Sequence, residues 1–276
     1  MSNLISANIM RIIKNKCFWG CACVMFSISV YLPIMFYMKM RAGNTILLED
    51  GFFSCSIFLA ILLSVFCSLF IGTDYSDSTI RNKLIIGHKR IHIYLANLLT
   101  NIFTGIILYA IYFITYLCIG IPLLGFFHTD LRVILLFTVI VVMLCTAFSS
   151  LFTMIAMLNA SKAIAAIICI ISTFLLITAG TYIYSQLQQP ETIPYYNYDF
   201  ATGDAKLEKN IENPNSLKGT KRKVYQFLHD FLPGGQIIQC TSMEAENPPI
   251  LPIYSGIIFI ITTTTGAIIF RRKDIK

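Results

Sequence analysis

Six long apolar runs, separated by polar segments, dominate the pattern of hydrophobic and polar positions along the chain. The runs cover residues 18–38, 52–72, 95–120, 133–158, 163–184 and 253–270. Their lengths lie close to or above the ~20 residues that an α-helix needs to cross ~30 Å of hydrocarbon. We therefore predict an all-α integral membrane protein, with six transmembrane helices in a single transmembrane domain over residues 1–276.

Residues 3–16, which precede the first run, have the pattern of an amphipathic helix. Two rows of mostly apolar residues recur at a spacing of four, whereas Arg11, Lys14 and Lys16 lie off these rows. Such a helix is suited to the inner membrane surface, with its cations near anionic lipid. The following run is too long for a secretory signal peptide and has no small-residue cleavage site.

Composition supports the membrane assignment. The chain is 56% hydrophobic and 13% charged, with a mean hydropathy of +0.72. Soluble domains are roughly 45–50% apolar and about 25% charged. Because the nine cysteines lie mostly in or beside apolar runs, we interpret them as packing residues rather than as a disulfide framework.

The net charge of +7 divides unequally between the two sides of the predicted bundle. One side holds both chain ends, segment 73–94 and the turn 159–162, with twelve Lys and Arg against three Asp. The other side holds nine cations against eleven anions, mainly in segment 185–252. Because short basic loops stay in the cytoplasm, we expect both termini inside and segment 185–252 outside the cell. A charge divided in this way does not indicate nucleic-acid binding.

Segment 73–94 is predicted to contain a short helix just beneath the membrane. Asp74 or Ser76 could cap its start, because their side-chain oxygens can accept free backbone N–H groups. Ile80 and Leu84 lie one turn apart on one face. Gly87 could adopt the left-handed conformation that ends a helix. A short helix joined directly to two spans could act as a lever on which a soluble partner pushes.

The order of residues around this segment also resembles a known family. The matching residues are Gly72, Tyr75, Ser76, Thr79, Ile80, Arg81, Asn82, Gly87, Arg90, Ile93, Tyr94 and Asn97. They resemble the loop between the second and third spans in permease subunits of ABC transporters of the second exporter type. In that family the loop forms a coupling helix that docks on a separate ATPase subunit. The alternative is an ordinary basic loop of a membrane protein.

The resemblance implies a coupling role for one set of residues. These are Asp74, Tyr75, Ser76, Asp77, Thr79, Ile80, Arg81, Asn82, Leu84, Gly87 and Arg90. It also implies that ATP and Mg²⁺ are bound by the partner ATPase and not by this chain.

A second short helix is predicted before the last run. Val224, Phe227, Leu228 and Phe231 recur at i, i+3, i+4 and i+7, which makes one apolar stripe. The sequence Pro233-Gly234-Gly235 is expected to stop this helix. Segment 225–236 resembles the outer re-entrant region of the same permease family, which implies an extracellular gate that includes Pro233 and Gly234. The alternative is a loop helix that packs only on its own neighbours.

The sequence lacks the usual signals of catalysis. It contains no G-x-x-x-x-G-K-[ST] phosphate-binding loop and no H-E-x-x-H metal motif. The six apolar runs contain no Asp, Glu, Lys, Arg or His, whereas proton- and ion-coupled carriers usually need ionisable groups at membrane depth. We therefore expect no catalytic residue, cofactor or metal in this chain, and a separate subunit that supplies the energy.

These observations together predict the permease subunit of an ATP-driven ABC exporter in a plasma membrane, of bacterial type. The resemblance implies a second permease subunit, identical or related, and two ATPase subunits. Ser, Thr and aromatic residues in runs without charge favour a hydrophobic or amphipathic cargo. The resemblance implies a peptide of this kind, such as a toxin, bacteriocin or antimicrobial peptide. A drug or lantibiotic-resistance efflux permease is one alternative, and a non-transporting membrane anchor or sensor is another.

Overall fold

A computed structural model describes residues 1–198, 205–214 and 216–273 of the chain, which is 82% helical. The helices are α1 (Ser2–Ile13), α2 (Lys16–Arg41), α3 (Cys55–Ser76), α4 (Thr79–Ile85), α5 (Arg90–Leu124), α6 (Leu131–Leu158), α7 (Lys162–Leu187), α8 (Gly219–Phe231), α9 (Pro233–Ser242) and α10 (Leu251–Arg272), with 3₁₀ helices at Leu48–Ser54 and Pro248–Ile250. Residues 199–204 and 215 of the predicted outer segment, and Asp274 and Lys276 of the charge count, lie outside the described residues.

The six predicted spans are confirmed as helices that are long and apolar enough to cross a membrane. These are α2, α3 with the 3₁₀ helix before it, α5, α6, α7, and α10 with the 3₁₀ helix before it. Most of them extend a few residues beyond the apolar run, and α5 starts five residues before residue 95. A helix that satisfies its own backbone hydrogen bonds does not have to stop where the apolar run stops.

The described helices α2, α3, α5, α6, α7 and α10 cross the bundle in alternating directions, which gives the molecule two distinct ends. At one end, here called the loop end, lie α1, α4, the end of α3, the start of α5 and the end of α10. There Arg11 of α1 contacts Asp74 of α3, and Arg90 of α5 contacts Lys273, which follows α10. At the other, here called the hairpin end, lie the 3₁₀ helix Leu48–Ser54, two β-strands, α8 and α9. The two ends therefore carry different structures.

Helix α3 lies at the centre of the bundle. In its most apolar stretch 67% of the residues are buried, against 22–44% in the other five long helices. Phe66 and Phe70 are fully buried there and stack with ring centroids 5.2 Å apart. A helix held on every side cannot shift alone, so α3 fixes the position of the segment that follows it.

The amphipathic helix α1 is present, and its row of Leu4, Asn8 and Ile12 is buried against the rest of the protein. Asn8 donates from Nδ2 to Asn97 Oδ1 at 2.9 Å and to Thr100 Oγ1 at 3.2 Å on α5. Arg11, which we expected near lipid, instead contacts the Asp74 carboxylate. The second apolar row ends at Ile13, which is 54% exposed. One face of α1 therefore packs on protein, and the other remains available to lipid.

A two-stranded antiparallel sheet in the outer segment was not predicted. Strand β1 (Thr192–Tyr198) pairs with β2 (Ala205–Glu212), and the register runs from Thr192 opposite Glu212 to Tyr198 opposite Ala205. Tyr, Thr and Ile favour strands, but Pro and Asn in the same stretch hid the signal.

The prediction for the end of α8 was half right. The helix stops at Phe231, as expected, but Pro233 then starts α9 instead of a loop. Proline suits the first turn of a helix because the missing N–H has no partner there anyway. A Cβ on Gly234 would lie 1.7 Å from the carbonyl oxygen of Leu176. The glycine is therefore needed for the close approach of α9 to α7.

Candidate functional site

The helix predicted in segment 73–94 is α4, but it starts later than expected. Helix α3 continues through Asp74 to Ser76, and α4 begins at Thr79. The residue before it, Ser78, has φ +55° and makes no side-chain cap. The prediction that Asp74 or Ser76 caps this helix is therefore wrong.

Asp74 instead joins three elements through ion pairs. Its side chain is 1% exposed and contacts Arg11 of α1 and, at 3.4 Å, Lys83 of α4. Arg11 also donates to the carbonyl of Phe70 at 2.5 Å, and its guanidinium lies 3.8 Å from that ring. Burial lowers the pKa of Lys83, although the Asp74 carboxylate opposes this shift. One buried carboxylate thus ties α1 and α4 to the end of α3.

A second set of contacts ties the same region to the end of the last span. The Tyr75 hydroxyl donates to the carbonyl of Met157 at 2.6 Å. Lys273 donates to both groups at 3.2 Å, and burial lowers the pKa of its ammonium. Arg90 at the start of α5 donates to the carbonyl of Lys273. Arg90, which the resemblance placed among the coupling residues, thus binds a helix end of its own chain.

The C-terminal end of α4 is closed by a Schellman motif. Gly87 has φ +96°, and its N–H donates to the carbonyl of Leu84 at 3.0 Å. The N–H of His88 donates to the carbonyl of Lys83 at 3.1 Å. These two bonds satisfy carbonyls that the helix would otherwise leave free. The prediction that Gly87 takes a left-handed conformation at this end is confirmed.

The two residues on the predicted apolar face of α4 face the protein itself. Ile80 is 1% exposed and belongs to the core, and Leu84 packs against that core. The exposed pair is Ile85 and Ile86, at 74% and 76%. Ile80, which the resemblance placed among the coupling residues, is therefore not available to a partner at the surface. Ile85 and Ile86 do not share the face of Ile80 and Leu84. Large apolar residues outside the apolar face of a short helix were the sequence signal that could have indicated this exposed surface.

The remaining predicted residues of this segment lie at its solvent side. Arg81 and Asn82 are exposed. Ser76 and Asp77 are also exposed, and the Ser76 hydroxyl lies 3.1 Å from Asp77 Oδ1, while Thr79 is half-buried. Together with Ile85 and Ile86, Arg81 and Asn82 form what we call the α4 surface. It combines a large apolar area with one cation and one amide.

The predicted outer gate divides into two groups. The rings of Phe227 and Phe231 stack 5.6 Å apart, and both meet the ring of Tyr254 on α10 edge-on, at 5.9 and 5.7 Å. Val224 is 50% exposed and Phe227 49%, so much of the stripe is free. Leu228, from the same stripe, is half-buried.

Pro233 and Gly234 are instead buried at the junction of α9 with α7. They position the backbone and do not present side chains to the exterior. The predicted gate therefore contains two different features: a partly exposed aromatic stripe on α8, and two buried residues that set the path of the backbone between α8 and α9.

Among the residues that the structure describes, no group of three His, Cys, Asp or Glu side chains is placed to hold a metal ion. In comparisons with known proteins, no protein-family model matches the chain, and no curated protein matches it either.

Proposed function

We propose that this chain is the membrane-spanning permease subunit of an ATP-driven exporter of the second ABC exporter type. The observation that carries the proposal is α4, a short helix between two long apolar helices. It is followed by exposed Ile86, includes exposed Ile85, and is tied to α3 by the Lys83–Asp74 ion pair. The resemblance of residues 72–97 to the coupling loop of that family supports the same conclusion.

In this proposal the α4 surface inserts into a groove on the ATPase subunit. Ile85 and Ile86 supply the apolar contact, and Arg81 pairs with an acidic residue of the partner. Burial of an apolar anchor at an interface centre often contributes ~2 kcal/mol or more, whereas an exposed ion pair contributes about 0–1 kcal/mol. We therefore expect the two isoleucines to dominate docking.

The contacts behind α4 would carry its movement to the spans. Asp74 links α4 to α3 and α1, and the Arg90–Lys273 contact links the start of α5 to the end of α10. A push on α4 would therefore reach several long helices together. ATP and Mg²⁺ belong to the partner subunit in this scheme.

The proposed complex contains a second permease subunit, identical or related, and lies in the plasma membrane of a bacterium. Its cargo would be an amphipathic peptide such as a toxin, bacteriocin or antimicrobial peptide that passes between the two permeases. Exposed apolar residues on the long helices, including Phe103 and Ile114 of α5, supply surface for lipid or for the second permease.

The test is copurification of the ATPase with the tagged chain from membranes. The double variant Ile85→Asp, Ile86→Asp should lose the ATPase, and Arg81→Ala should retain most of it. Ile13→Asp is the matched control, because Ile13 is also exposed at the loop end but lies on α1. Each amount is normalised to the abundance of the permease. Full retention of the ATPase by the double variant would exclude α4 as the docking helix.

Ile80 is unsuitable for this test. Its side chain is buried in the core, so Ile80→Asp would leave an unpaired charge inside the protein. Such a variant would lose stability whether or not α4 binds a partner.

The outer stripe of α8 is proposed as the gate of the same exporter, because Phe227 and Phe231 leave a partly free aromatic surface beside α10. Changing both residues to Asp should impair efflux of a labelled peptide while ATPase binding is unchanged. Changing both to Leu keeps the surface apolar and should preserve more of the efflux. Equal efflux by the Asp and Leu variants would reduce α8 to a packing element.

A further inference from the structure

A cavity of about 390 Å³ opens at the hairpin end between the last turn of α7, α8, α9 and the loop that follows α9. Its volume lies in the range of small-ligand pockets, roughly 300–1,000 Å³. Helix α8 contributes Arg222, Gln226 and His229, which lie on a different face from Val224, Phe227 and Phe231. The cavity is therefore separate from the proposed gate.

His229 is the most constrained group in this cavity. Its side chain is 7% exposed, and its ring stacks on that of Tyr184 with centroids 5.8 Å apart. Its Nε2 atom is buried and has no hydrogen-bond partner among the residues that the structure describes. A buried polar atom without a partner costs free energy, which a ligand that enters the cavity and displaces the atoms covering Nε2 would recover.

The protonation state of His229 limits what that ligand can be. Burial lowers its pKa, which outweighs the opposing effect of the Glu246 carboxylate, so the imidazole is neutral at pH 7. One nitrogen of a neutral imidazole donates a hydrogen bond and the other accepts one, and Nε2 is the acceptor in the tautomer with the proton on Nδ1. A ligand that donates hydrogen bonds fits this atom.

The other polar groups of the cavity also favour a donor with positive charge. Asp230, Glu244 and Glu246 line it together with a single cation, Arg222. Glu246 accepts from Gln226 Nε2 at 2.8 and 2.9 Å, and Glu244 accepts from the Tyr184 hydroxyl at 3.1 Å. An ionised carboxylate has about four acceptor positions, so each keeps capacity for another donor.

We propose that this cavity binds a primary ammonium group, with His229 Nε2 and the carboxylate of Glu246 as its acceptors. An ammonium group has three donors and no acceptor, which complements these groups. Leu187 and Met243 also line the cavity and supply an apolar wall for the carbon chain that carries the ammonium group. A lysine side chain, a peptide N-terminus and a phosphatidylethanolamine headgroup share this chemistry. The proposal does not depend on whether the chain transports anything.

The test uses the full chain in nanodiscs of phosphatidylcholine, whose quaternary ammonium has no N–H donor. Saturation-transfer NMR compares N-acetyl-lysine methylamide with N-acetyl-norleucine methylamide, which lacks only the amine. We expect a saturable signal from the lysine compound and none from the norleucine compound. Equal signals from both would overturn the proposal.

Variants identify the site. His229→Phe keeps a ring beside Tyr184 but removes Nε2, and it should weaken lysine binding about tenfold or more, the factor expected for one hydrogen bond to a charged group. Glu246→Gln should weaken it as well, and it provides a second measurement if the first variant does not fold. Glu191→Gln removes a charge at the same end, outside the cavity, and should leave binding unchanged. Unchanged affinity in both cavity variants would overturn the assignment.

The source of the ammonium group is found by adding phosphatidylethanolamine to the nanodiscs. Loss of the lysine signal would show that the lipid headgroup occupies the cavity. Retention of the signal would show that the cavity selects a soluble amine or a peptide. Either result supports an ammonium site, and the two differ only in its natural occupant.

Discussion

At the scale of single residues, Asp74 has the most consequential environment in the chain. Its side chain is 1% exposed and contacts cations from two other elements, Arg11 of α1 and Lys83 of α4. A buried carboxylate is tolerated only when it is paired and hydrogen-bonded. The side chain of Arg11 is 30% exposed and that of Lys83 is 14% exposed. Water therefore solvates both cations only in part, and the Asp74 carboxylate balances their charge.

We predict that Asp74→Asn destabilises the loop end by up to about 3 kcal/mol, the lower end of the range for a broken buried ion pair, because Arg11 remains partly solvated. Hydrogen exchange should accelerate in α1 and α4, and thermal unfolding in detergent should begin at a lower temperature. Asp77→Asn is the control, because Asp77 is exposed three residues further on. Equal behaviour of the two variants would show that the Asp74 contacts contribute little.

His229 is predicted to make stability depend on pH. Its pKa in the folded state lies below the ordinary value of 6.5, because burial disfavours the imidazolium. The unfolded chain therefore binds this proton more readily, and the contribution to stability is complete above about pH 6.5 and decreases below it. Burial also raises the pKa of Asp230 above its ordinary value of 3.8. This shift makes the protein more stable as the pH falls, which is the opposite of the effect of His229. The Tyr184 ring and the Glu246 carboxylate are the other groups facing His229.

The measurement is thermal unfolding in detergent between pH 7.5 and pH 5, compared with His229→Phe. The wild-type midpoint should fall more steeply with decreasing pH than that of the variant. Asp230 is present in both proteins, so its contribution largely cancels. Parallel pH curves would show that the His229 proton is not linked to folding.

At the scale of elements, α4 depends on how it ends more than on how it begins. Its start has no side-chain cap, whereas its end has the two Schellman hydrogen bonds around Gly87. Seven residues are too few for a stable isolated helix in water. The helix therefore persists because its ends are fastened and because Ile80 is buried in the core.

We predict that Gly87→Val disorders the last turn of α4 and weakens ATPase copurification. A β-branched residue at φ +96° costs about 1–2 kcal/mol, whereas Asn accepts a positive φ more readily. Gly87→Asn should therefore be milder, and a Cβ at this position meets no atom within 4 Å in either variant. Amide exchange across residues 79–88 reports the loss of the helix end. Similar exchange in both variants would indicate that the backbone conformation is not limiting.

At the scale of the whole molecule, the two ends differ in charge as well as in structure. At the loop end the described residues include Arg11, Lys83, Arg90 and Lys273, and each of these four cations binds a group outside its own helix. The hairpin end holds the cavity, whose lining is mostly acidic among its charged groups. Because positive charge is retained in the cytoplasm, we expect the loop end inside.

This orientation predicts which introduced cysteines react from outside the cell. Thr220→Cys at the hairpin end should be labelled by an impermeant thiol reagent added to intact cells, and Ser78→Cys at the loop end only after lysis. Both positions are exposed. Cys23 and Cys118, which are the exposed native cysteines, are first replaced by Ser to lower the background. The reverse labelling pattern would place α4 where no cytoplasmic ATPase could reach it.

The sequence by itself determined the architecture of the six long helices. Apolar runs of about 20 residues can bury themselves in lipid only as helices, because every backbone hydrogen bond is then internal. It also placed two short helices, since glycine at position 87 and the spacing of the α8 stripe are local signals. These features depend on residues a few positions apart, which is the range over which sequence patterns are informative.

Only the tertiary structure decided which faces remain free. The spacing of Ile80 and Leu84 places them on one face but does not say whether that face meets a partner or the chain's own core. The sequence allows Asp74 either to cap the helix that follows it or to pair with Arg11, which lies 63 residues earlier. In the folded protein it pairs with Arg11. The cavity around His229 likewise forms where α7, α8 and α9 meet. Contacts between distant segments have no local pattern, because they depend on how completed helices pack.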